Sequence, residues 1–203
     1  MKKFAKYLIC VLSVFVFSFS FSPILASDSD QPIKTVIYQN HLSQAEIDQL
    51  LVDQTEAYLK EIIPDYEANT KGRARPYYET VYGTTKRVNI GGYAGNQLPG
   101  GYKFPTGGGF YYSFSGGPTA SVSVSFPAPF GSFGLSTTLG NKAASGVTVN
   151  VPNKTQYFKL WSTQEYNVRP FIVYYIDSNG KKGIYHKNFS SVQQSNVAWA
   201  KAV

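Results

Sequence analysis

Residues Ala120–Gly140 read Ala-Ser-Val-Ser-Val-Ser-Phe-Pro-Ala-Pro-Phe-Gly-Ser-Phe-Gly-Leu-Ser-Thr-Thr-Leu-Gly. Val122, Val124 and Phe126 alternate with Ser121, Ser123 and Ser125, which is the two-residue period of a strand with one apolar face. Phe133, Leu135 and Leu139 resume the alternation after Gly131. Two such arms around Pro127, Pro129 and Gly131 predict an antiparallel hairpin.

The same signal recurs on both sides. Val81–Ile90 is rich in β-branched residues, and Val147, Val149 and Val151 alternate up to Pro152. Gln156–Ser162 and Val168–Asp177 read as two further strands. Asp177-Ser178-Asn179-Gly180 is a turn, with a returning strand over Gly183–Lys187. A last strand alternates Val197, Trp199, Lys201 and Val203 against Ala198, Ala200 and Ala202. Short strands separated by Gly, Pro and Asn predict a mainly β protein, an antiparallel sandwich or barrel-like domain.

One helix precedes them. Ser43-Gln44-Ala45-Glu46 is a capping box, and Ile47, Leu50, Leu51, Tyr58, Leu59 and Ile62 share one helical face up to Pro64. The expected helix covers about residues 43–63 and must lie on an apolar surface. It is read as core of the β domain, with a detachable arm, a pro-segment or a partner-binding helix as the alternatives.

The charge is divided. Residues 27–67 hold nine acids against Lys34 and Lys60, whereas residues 68–203 hold 14 basic residues against Glu79, Glu165 and Asp177. The expected organisation is an acidic segment over 27–70, a basic linker over 71–76 and a basic all-β domain over 77–203. All 18 glycines lie at Gly72 or later, and ten fall between Gly91 and Pro118 among seven aromatics. Those aromatics are read mainly as core plugs.

Residues 1–26 carry Lys2, Lys3 and Lys6, then an uncharged apolar run to Ala26, the pattern of a cleaved signal peptide. Cys10 is the single cysteine and lies inside that run. A mature chain without cysteine has no disulfide and rests on core burial. The expectation is export from a bacterium without a disulfide habit, to the medium or the cell surface.

Chemistry is sparsely signalled. His41 and His186 are separated and no cysteine accompanies them, so no metal site and no cofactor is expected. No Gly-x-Ser-x-Gly elbow or phosphate loop occurs, and no nucleic-acid motif. The expected role is a non-catalytic binding protein. Its partner is an anionic envelope polymer, polysaccharide or lipid surface, attracted by the basic domain. Lys86, Arg87, Tyr111, Tyr112, Trp161, Lys181 and Lys182 are the candidate binding residues. A pore-forming or bacteriocin-like protein is the second reading. It would use the 120–140 hairpin with Val122, Val124, Phe126, Phe130, Phe133 and Leu135 toward lipid. A secreted hydrolase built on Glu79 and Glu165 is the third.

Overall fold

The computed structural model describes residues 32–64, 66 and 76–203. The expected signal peptide, residues 1–26, and most of the expected 71–76 linker lie outside the described residues. In chain order the elements are β1 (Thr35–Gln39), α1 (Gln44–Ile62), β2 (Tyr77–Tyr82), β3 (Lys86–Tyr93), β4 (Tyr102–Lys103) and β5 (Gly109–Ser113). Then follow β6 (Thr119–Phe126), β7 (Gly131–Thr138), β8 (Asn141–Ala143), β9 (Val147–Asn150), β10 (Tyr157–Ile176) and β11 (Lys182–Ala202). The protein is mainly β, with antiparallel sheets in a sandwich-like arrangement and one helix ahead of the basic strands. A short strand, β1, precedes even the helix and was not read from the sequence.

The spine is one long hairpin. β10 and β11 are 20 and 21 residues long and pair along their whole length. The sequence divided each into two strands, and the structure joins them. Pro170, inside the second of the two strands read for β10, does not break the ladder. Its carbonyl accepts from Gly83 N at 2.8 Å. The nitrogen and oxygen of one strand residue point to the same side, so the missing N–H faces the gap after β2, not β11. At that gap, residues 83–85, the neighbour of β10 changes from β2 to β3. β4 continues the same edge, and β1 pairs with the far edge of β11.

Alternation along β10 then assigns its two faces. Phe158 and Leu160 point inward with Ala198 and Ala200, onto the small sheet β8–β5–β9. Phe110, Tyr112 and Val149 of that sheet close this core. Gly109 is needed there, because a Cβ would meet the Val149 carbonyl oxygen at 2.2 Å. Higher on the same face, Ile90 and Val168 receive the β6–β7 hairpin.

The opposite face is divided. Phe171 and Val173 point toward α1 and pack with Leu59 and Ile63. Ser43 caps α1 as the capping box requires: its hydroxyl accepts from Glu46 N, and Glu46 Oε2 accepts from Ser43 N at 2.7 Å. The buried stripe is Ile47, Leu51, Thr55 and Leu59. Leu50 and Ile62 were expected on it but are 38% and 37% exposed. Spacing of four places Thr55 there instead, and its hydroxyl is satisfied by Leu51 O at 2.8 Å and Ser190 Oγ at 2.6 Å. The helix is core, and it stops short of the lower half of the sheet. That lower half stays open.

Candidate functional site: an aromatic and lysine face

Three rings line the open half. Tyr93, Trp161 and Trp199 are direct cross-strand partners on β3, β10 and β11. Tyr93 and Trp161 meet edge to face with centroids 4.9 Å apart, and Trp161 and Trp199 lie 6.1 Å apart. Two residues along, Lys159 and Lys201 form the next pair on the same face. Lys201 Nζ lies 3.9 Å above the Trp161 ring and 5.6 Å from that of Tyr93. Lys159 approaches Tyr93 at 5.2 Å, and Lys34, just before β1, approaches Trp199 at 5.6 Å.

Strand pairing builds this arrangement. A residue and its neighbours at two-residue steps share a face. Leu160, Ala198 and Ala200 are buried, so Lys159, Trp161, Trp199 and Lys201 must face out. Trp161 Nε1–H donates to Thr163 Oγ1 at 3.1 Å, which fixes the indole over the sheet. The result is a platform, a row of three rings set at angles to one another, with Lys201 over Trp161 and Lys159 and Lys34 beside Tyr93 and Trp199. A cation above an aromatic face is held by the ring quadrupole and keeps its charge toward water.

The binding residues expected from the sequence do not gather. Only Trp161 belongs to the platform. Tyr112 requires correction: it is 1% exposed, and its hydroxyl donates to Leu139 O at 3.0 Å inside the core. A tyrosine on a strand between two small-sheet neighbours has one face to bury, and this one is the inner face. Tyr111 is 47% exposed but lies on β5, in the other sheet. Lys86 Nζ donates to Ser125 O at 2.7 Å, and Arg87 pairs with Glu165 at 3.6 Å. Lys182 pairs with Glu79 at 3.0 Å, and Lys181 sits in the distal turn beside Asp177.

Tyr93, Trp199, Lys159, Lys201 and Lys34, which complete this face, are not among the residues expected from the sequence. Alternation around Trp161 and Trp199 was visible, but the register joining them was not. Glu79 and Glu165 do not share a cleft. Glu79 sits opposite Tyr174 of β10, nine residues from Glu165 and so ~30 Å away at strand rise. Among the described residues, no group of three or more His, Cys, Asp and Glu could hold a metal.

The six residues of the hairpin reading do gather. Val122, Val124, Phe126, Phe130, Phe133 and Leu135 form one cluster with Ile90 and Val168. The chain matches no protein-family model, no curated protein and no solved structure.

Proposed function

We propose that this is an exported binding protein whose aromatic and lysine platform docks on an anionic envelope surface. The observation that carries the reading is the row Tyr93–Trp161–Trp199, edged by Lys34, Lys159 and Lys201 on an open sheet face. Flat rings with a polar edge suit the boundary between an apolar or sugar-rich layer and water. Ammonium groups beside them suit phosphate or carboxylate. The 14 basic residues against three acids in the 68–203 region supply long-range attraction. Export is supported by the charge and apolar pattern of residues 1–26. The shared ligand chemistry is a repeated anion, which a wall polymer and an anionic lipid both present.

Sedimentation tests it. The protein should pellet with phosphatidylglycerol vesicles or associate with long-chain polyphosphate, but leave phosphatidylcholine vesicles in solution. Binding should weaken steeply as salt rises and the Debye length falls below ~10 Å. Replacing Lys34, Lys159 and Lys201 by Gln should cost about 100-fold in affinity, from ~1 kcal/mol per lysine at such a surface. Equal binding at low and high salt, or by the triple variant, would contradict the reading. Preference between the two anions identifies the source.

A further inference from the structure

We infer that the β6–β7 hairpin is an arm that leaves the sheet and enters an anionic lipid bilayer. This is a second activity, carried by different residues from the platform.

The hairpin is a sheet of its own. β6 and β7 pair with each other from Thr119↔Thr138 to Phe126↔Gly131, and neither joins the ladder of another strand. Side chains attach it. Val124, Phe126 and Leu135 pack on Ile90 and Val168. Thr137 Oγ1–H donates to Gln164 Oε1 at 2.7 Å, Lys86 Nζ to Ser125 O at 2.7 Å, and Lys187 Nζ to Pro129 O. At the tip a cleft of about 700 Å³ separates Phe126, Pro127 and Phe130 from Gln44 and Asp48 of α1.

Its outward face is unusual for a surface. Ser121, Ser123, Ser125, Ser132 and Ser136 are all exposed, and residues 104–141 contain no charged side chain at all. The remainder of the domain is rich in lysine and arginine. A face that only meets water has no reason to exclude charge, whereas a segment that crosses lipid must. Alternation supplies the rest: one face takes lipid, and the hydroxyl face takes water.

The length fits. Leu139 N donates to Pro118 O at 2.9 Å, which extends each arm by one residue to nine. Nine residues meet the lower end of the ~9–11 that a tilted strand needs to cross the hydrocarbon layer. The base carries glycines at positive φ: Gly116 at 74°, Gly117 at 88° and Gly140 at 76°. These are backbone positions where the chain can change direction without a side-chain penalty. A lone hairpin would leave two unpaired edges in lipid. Arms from several copies must therefore pair into a closed barrel, with the serines lining its lumen.

The experiment uses the exported chain from residue 27 onward, which contains no cysteine, so that one introduced cysteine carries an environment-sensitive dye. Val122→Cys and Phe133→Cys report the apolar face, and Ser121→Cys and Ser132→Cys the hydroxyl face. Each is mixed with phosphatidylglycerol vesicles containing nitroxide-labelled lipid. Quenching by more than half at 122 and 133, but little at 121 and 132, is expected, together with release of trapped dye by the unlabelled chain. If an inner-face label prevents folding, the exposed variants Ser123→Lys and Ser123→Glu replace it. They should favour release of anionic and cationic dyes respectively. Sedimentation with vesicles without quenching and without release overturns the arm and leaves the platform standing. No sedimentation and no release overturns both. Release by the variant lacking Lys34, Lys159 and Lys201 upholds the arm and removes the platform as its means of delivery.

Discussion

Thr55 shows how one polar residue can sit in an apolar stripe. It is 1% exposed, and its hydroxyl lies between Leu51 O and Ser190 Oγ, with Ser190 8% exposed. Thr55→Val keeps the volume and strands the Ser190 hydroxyl. The expected loss is about 1–3 kcal/mol, the desolvation cost of an unsatisfied buried group. Thr55→Val with Ser190→Ala removes both partners and should recover most of it. Denaturant midpoints of the two singles and the double form the cycle. Additive losses would mean that the hydroxyls do not interact. Thr55 could not be found by reading apolar periodicity, because its partner lies 135 residues away. Tyr112 failed for a related reason. Alternation shows that adjacent tyrosines Tyr111 and Tyr112 face opposite ways, but not which of them faces the core.

At the scale of elements, the seam between α1 and β2 makes stability sensitive to alkali. Burial raises the Tyr82 phenol well above its usual value of 10.0, and nearby Tyr66 and Glu56 add to this. Burial also raises Tyr66, whose hydroxyl lies 2.7 Å from Thr80 Oγ1, and Tyr78. Each folded phenol keeps a proton that the unfolded chain releases near pH 10. The folded state therefore binds more protons above that pH, and stability falls as pH rises further. Below it the contribution of these groups is complete. Unfolding midpoints should drop from about pH 10 upward, and Tyr82→Phe should flatten that drop. An unchanged alkaline slope in the variant would show that Tyr82 does not cause it. The bounds and the N-terminal cap of the helix behind this seam were legible, because caps and i, i+4 spacing are local. The long strands were not. The polar stretch Thr163–Asn167 separated the two strands read from the sequence. Pairing with β11 on one side and with β2 and β3 on the other carries the strand through it. Gln194 and Tyr185, each an extra residue opposite β10, adjust β11 to it.

On the scale of the whole molecule, one sheet serves two purposes. Its inner face and the upper part of its outer face build the core, against the small sheet, the β6–β7 hairpin and α1. Its lower outer face is left to the platform. The acidic helix occupies a different part of that outer face from Trp161 and Trp199, so it does not cover them. Charge was legible in the sequence as a total, whereas its placement required the register. Lys159 and Lys201 are 42 positions apart in the chain and directly paired in the sheet. The chain has two tryptophans, and both lie in the platform row, so intrinsic emission reports that site without background. Titration with phosphatidylglycerol vesicles, followed by tryptophan emission and by sedimentation together, tests platform docking most directly. A blue shift that rises with binding and reverses with added salt is the expected result. Binding by sedimentation with unchanged tryptophan emission would contradict it.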